Sequence, residues 1–157
     1  MTFKAARFAN LFLTGVLTGN EFGGFVGFHP ALYRLPTEAH ASAEQAITAR
    51  FGKIMPPFMI TTILSFVPVL SMTQDRQSFR FTLAGMICYA AMLAVTFAGN
   101  MPANRRTLGL DPSTVPRDEF LALRRRWDRF HAVRNLLNAV GFVFAILGAL
   151  SEAGRGS

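Results

Sequence analysis

Four apolar stretches, Phe8 to Phe28, Ile54 to Leu70, Phe81 to Gly99 and Val133 to Leu150, constrain this chain more than any other feature. At a rise of about 1.5 Å per residue, runs of roughly 17 to 21 residues approach the ~30 Å hydrocarbon core of a bilayer, so each can span as a helix. The expected architecture is all-α: one integral membrane domain over residues 1–157, four transmembrane helices in up-down order, and a polar pocket at one membrane face. Composition agrees. Charged residues are 16% of the chain, against roughly 25% in soluble domains.

The net charge of +7 does not indicate nucleic acid, because the arginines cluster between apolar runs and form no basic face or arm. Basic flanks beside apolar segments suit anionic lipid head groups instead. The single cysteine, Cys88, excludes an intrachain disulfide and a multi-cysteine metal cluster. It lies within an apolar run and reads as a small buried hydrophobe.

The second stretch holds Pro56 and Pro57 at an expected helix start and Pro68 near its end. Lys4 and Arg7 ahead of an apolar core resemble a secretory signal peptide. The apolar character runs on to Phe28 without a clean small-residue cleavage pattern, which favours a span. Gly15, Gly19, Gly23 and Gly27 recur at every fourth residue, a stripe against which a neighbouring backbone can pack, within the bundle or across a homo-oligomer, and which places the first helix centrally. Of the connections, Pro30 to Lys53 is polar with a helix-compatible stretch at Glu38 to Arg50, Thr73 to Arg80 is a short turn, and Asn100 to Pro116 carries three prolines. Arg117 to Phe130 reads as a helix continuing into the fourth span, and Ala153 to Ser157 as a frayed tail. The positive-inside rule assigns the two long, arginine-rich connections to the cytoplasm.

In an up-down bundle the end of span one, the end of span three and the start of span four share one membrane surface, and the unusual residues gather there. They are His29-Pro30, then Asn100-Met101-Pro102-Ala103-Asn104, then Trp127, His131, Arg134, Asn135 and Asn138. Trp127, His131, Arg134 and Asn138 are spaced four, three and four, so they share a helix face, extended upstream by Arg124. Glu21 lies about two turns below His29, at a depth like that of Asn138, so its carboxylate and the Arg134 guanidinium can meet inside the bundle. A charge near the bilayer centre costs about 2.5 to 3.5 kcal/mol on the mild insertion scale, so such a residue faces protein or water. One account of Glu21 is a register-fixing ion pair with Arg134; another is an acid or base. His40, in the connection, is expected in solvent. His29, His131 and Glu21 are ligand types for iron or zinc but carry no paired spacing, so metal and metal-free sites both stay open.

The order His29-Pro30-Ala31-Leu32, Asn100-x-Pro102-x-Asn104 and Trp127-x-x-x-His131-x-x-Arg134 resembles the anthrone oxygenase-like family of small four-helix membrane proteins. The resemblance implies oxygenation of a hydrophobic, phenol-like aromatic without an identified organic cofactor. It implies a site made of His29, Asn100, Asn104, Trp127, His131 and Arg134. Glu21 and Asn138 join it from depth and face. On this reading His131, Arg134 and Glu21 are catalytic, while Trp127, Asn100, Asn104, Asn138 and His29 bind substrate, a lipophilic small molecule drawn from the bilayer. The competing class is a non-enzymatic membrane protein that binds or moves a lipophilic ligand or supports a partner.

Overall fold

The computed structural model describes residues 2–153, which form four helical rods without a strand among them. The first rod is α1 (Phe3–Gly23), a π-helical turn π1 (Gly24–Phe28) and α2 (His29–Leu32). The second is α3 (Thr37–Leu64) followed by α4 (Phe66–Met72), and the third is α5 (Arg76–Val95), the π-turn π2 (Thr96–Asn100) and α6 (Met101–Leu108). The fourth is α7 (Arg117–Ala153), unbroken, as the sequence between Arg117 and the last apolar run suggests. The tail expected at Ala153 to Ser157 lies, from Gly154 onward, outside the described residues.

Three helices, Thr37–Met72, Arg76–Leu108 and Arg117–Ser151, are long and apolar enough to cross a membrane. Their outer surfaces and that of α1 are apolar. Phe8, Phe12 and Phe22 on α1, Leu64, Ile87 and Leu136 are all exposed, an arrangement suited to lipid and unfavourable in water.

The buried side of α1 includes, besides Ala6, the residues Arg7, Asn10, Thr14, Leu17 and Glu21, these five spaced three, four, three and four, a largely polar seam of the period that faces a neighbouring helix. The glycine stripe lies elsewhere. A Cβ added at Gly19, Gly23 or Gly27 would meet nothing within 4 Å, and only Gly15 touches a neighbour, Phe142. The close helix approach instead runs between α5 and α7. There an added Cβ at Gly85 would come 3.0 Å from the Gly141 carbonyl, and one at Gly148 would come 2.6 Å from Thr82 Oγ1. Glycine spacing alone does not distinguish a packed face from a bare one, because both use the same four-residue period.

Two other expectations are corrected. Pro56 and Pro57 lie inside α3, not at its start; they leave the Gly52 and Lys53 carbonyls without their α-helical donors, at a helix-disrupting cost that packing can absorb in a bundle. The Asn100 to Pro116 connection is helical through Leu108, and Gln45 Nε2 donates to the Thr107 and Leu110 carbonyls at 2.9 and 2.8 Å, tying α3 to the end of α6.

Both π-turns precede an X-Pro step. The His29 N–H reaches the Gly24 carbonyl and the Met101 N–H reaches that of Thr96. Pro30 and Pro102 have no N–H, and their rings crowd the carbonyl four residues back, so widening the turn relieves both problems. The extra residue rotates the downstream helix about its axis, and the rotation sets the direction of His29 and of Asn100 and Asn104.

Candidate functional site

A cavity of about 460 Å³ lies between the rods, within the roughly 300–1,000 Å³ typical of ligand sites. Ile47, Phe51, Met55, Met59 and Leu108 supply apolar wall; Glu21, Glu44, His29, His131 and Arg134 supply ionisable groups. Of the residues named from sequence, Glu21, His29, Asn104, Trp127, His131 and Arg134 border this space, whereas Asn100 and Asn138 do not.

Glu21, 4% exposed, accepts a hydrogen bond from Arg134, itself 6% exposed. His131 Nδ1 lies 3.4 Å from the other Glu21 oxygen. Asn135 Nδ2 sits 3.3 Å from His131 Nε2. An amide nitrogen only donates, so Nε2 accepts and Nδ1 carries the proton, within ion-pair distance of Glu21 but without a formed hydrogen bond to it. The result is a buried acid–imidazole–guanidinium group in which the charges compensate one another.

Asn100 and Asn104 both serve Trp127. Asn100 Nδ2 donates to the Trp127 carbonyl at 3.2 Å, and the Trp127 indole N–H donates to Asn104 Oδ1 at 2.7 Å. The indole packs 4.5 Å, ring to ring, from both His29 and His131, and Arg124 lies 4.4 Å from its ring centre. Asn138 is fully buried, and its amide has no hydrogen-bond partner among the described residues.

A second ionic group was missed in the sequence. Glu44, 1% exposed, forms an ion pair with Arg124 at 2.9 Å, with His29 Nδ1 at 3.1 Å and His40 Nε2 at 3.6 Å. His40 is therefore buried, at 2% exposure, and not in solvent: it packs between the Tyr33 and Phe120 rings. Beyond it the Tyr33 hydroxyl donates to Asp128. Burial, and then the hydrogen bond to Asp128, push the Tyr33 phenol well above its ordinary pKa. A usable signal did exist, since His40, Glu44 and Thr48 recur every fourth residue on α3 and all are buried.

Among the described residues no three His, Cys, Asp or Glu side chains form a metal-holding group. Of the set His29, His131 and Glu21, the His29 Nδ1 is turned to Glu44 instead.

Fold and site together define a small all-helical protein of membrane type, with two buried ionic groups bordering a mainly apolar cavity. The chain belongs to the anthrone oxygenase family, whose profile matches residues 45–144, well over half of its length. The match covers most of α7 and of the second and third rods; Glu21, His29 and Glu44 lie upstream of it. No curated protein and no solved structure matches the chain.

Proposed function

We propose that this protein is a membrane-embedded oxygenase of a hydrophobic, phenol-like aromatic, an anthrone or close analogue, working by proton abstraction and reaction with dioxygen. The observation that carries the reading is the Glu21–His131–Arg134 group at the wall of an apolar cavity. It offers a base, an imidazole to share the proton and a cation to stabilise enolate charge. In this scheme α1 and the three longer apolar helices make a four-span bundle, with the polar pocket toward one membrane face and the arginine-rich connections in the cytoplasm. The flat substrate enters from lipid, where dioxygen also concentrates. Trp127, set by Asn100 and Asn104, gives it an aromatic wall, and His29 and Asn138 complete the site and its support.

The Glu21–His131 pair takes a proton from the ring CH₂. Arg134 steadies the resulting enolate, and the carbanion reacts with oxygen. The test is oxygen uptake by detergent-purified protein on an anthrone, before and after chelation, together with element analysis. Uptake that survives chelation and disappears in Arg134→Met is the expected result. A wild-type protein that binds the anthrone without consuming oxygen would overturn the reading in favour of a lipophilic-ligand carrier.

A further inference from the structure

The cavity is bordered by two groups of the same make: Glu21, His131 and Arg134 on one hand, Glu44, His29 and Arg124 on the other. The two imidazoles are 5.4 Å apart, ring to ring, and both touch Trp127. At Gly24 an added Cβ would lie 3.6 Å from His131 Nε2 and 3.9 Å from His29 Nε2, so both Nε2 atoms turn to one bare stretch of backbone beside the cavity. Glu44 holds the far nitrogen of His29, Nδ1, at 3.1 Å, and Arg124 holds Glu44 at 2.9 Å while fully buried. The scheme above uses only the first group.

The chemistry requires a second. Converting CH₂ and O₂ into C=O and H₂O takes two C–H removals and delivers two protons to one oxygen. First the base takes a proton, the carbanion forms a C–O bond to dioxygen, and the peroxide so made recovers that proton as a hydroperoxide. Then the second C–H proton leaves to the base, its electron pair becomes the C=O bond, and the O–O bond breaks. The departing oxygen keeps the O–O pair, and in a concerted step it needs its proton while the base is still receiving one from carbon, so a second group has to supply it.

We propose that His29 is the acid that protonates the departing oxygen, with Glu44 and Arg124 as the residues that position it. Resting on the oxygenase reading, this divides the work: Glu21 and His131 remove protons, His29 supplies one to oxygen, and the proton left on the first group returns to His29 across the imidazole contact. Glu44, 3.1 Å from Nδ1, orients the ring so that Nε2 is the nitrogen left toward the cavity.

The test separates the two halves by product. Wild-type protein consumes one oxygen per quinone formed and releases no peroxide. His29→Gln continues to consume oxygen, while quinone formation slows by about 10²-fold, the usual lower bound for a positioned acid, and substrate-derived hydroperoxide accumulates. Glu44→Gln shifts the peroxide-to-quinone ratio the same way, and Glu44→Asp restores part of it. If His29→Gln, folded by circular dichroism, lowers oxygen uptake and quinone formation in the same proportion, the division of labour is wrong although the oxygenase reading stands. No oxygen uptake by the wild type overturns both. Should Glu44→Gln fail to fold, the His29→Gln ratio alone decides.

Discussion

Removing the Arg134 side chain charge tests whether Glu21 is held as an ion or merely tolerated. Both groups are nearly inaccessible, at 4% and 6% exposure, and the guanidinium donates directly to the carboxylate. Arg134→Met leaves a buried carboxylate whose remaining close partner is His131, at 3.4 Å. Breaking a buried pair from one side costs about 3–5 kcal/mol, while replacing both members by neutral groups of similar volume is often close to neutral. Polar contacts between membrane helices are weaker, averaging about 0.6 kcal/mol in double-mutant cycles, so a coupling of several kcal/mol would be specific to a charge pair. The expected pattern is a large loss for Arg134→Met, a smaller one for Glu21→Gln, and a double variant more stable than Arg134→Met alone. Reversible unfolding in mixed micelles, monitored by far-ultraviolet circular dichroism, reads all four corners. Oxygen uptake on an anthrone should be lost in all three variants, which separates the chemical role of the pair from its structural one. Strict additivity of the two single losses refutes the argument, since it means the carboxylate is not held by the guanidinium.

Helix packing and a partly buried phenol give two further expected outcomes. A Cβ at Gly99 would come 2.2 Å from the Phe130 ring, so Gly99→Ala should cost about 1–3 kcal/mol as an overpacked contact, and adding Phe130→Leu should recover part of it; unfolding midpoints in detergent measure both. Tyr33, buried in part and hydrogen-bonded to Asp128 with Glu44 and Arg124 nearby, has its phenol pKa raised in the fold. The native state therefore binds that proton more tightly, and the stability from Tyr33 is complete below the free phenol pKa of about 10 and falls as pH climbs above it. Stability measured from pH 8 to 11 should decline less steeply in Tyr33→Phe, while Tyr89 is present in both proteins and cancels; equal slopes would refute the assignment.

The long helices were legible in the sequence, whereas which faces meet was not. The Trp127, His131, Arg134 and Asn138 spacing put a polar seam on the fourth rod, and that seam continues as Gly141, Ala145 and Gly148 into the contact with α5. The ion pair between Glu21 and Arg134 came from depth alone. The same period was present in α1 at Arg7, Asn10, Thr14, Leu17 and Glu21, but the glycines at every fourth residue competed with it. In a soluble helix the polar face would be the outer one, so habit reads such a stripe backwards. Against lipid the sign reverses: an unpaired polar group is costly outside, and exposed side chains such as Phe8, Phe12 and Phe22 are what a lipid-facing surface would carry. Glu44 and His40 were harder to read for a related reason, since the four-residue recurrence of His40, Glu44 and Thr48 sits in a stretch, Thr37 to Arg50, with the composition of a solvated helix, and its partners, Arg124 and His29, reveal that it is buried.

The π-turns show why a pattern of residue types could locate the site without predicting its geometry. Sequence marks His29-Pro30 and Met101-Pro102 as places where an α-helix loses a donor, and either a kink or a widened turn would satisfy that constraint. The chain takes the widened turn in both rods, and the consequence is positional: His29 leaves its first-rod neighbours to meet Glu44 and Trp127, and Asn100 and Asn104 turn together onto the same indole. Eight residues beyond Glu21, His29 would stand roughly 80° away from it on an unbroken α-helix, and the widened turn takes back most of that angle, so that both side chains border the cavity. Pro30 thus accounts for the direction of His29, and Pro102 for that of Asn100 and Asn104, because without the extra residue in each turn these side chains would be rotated by about 100°.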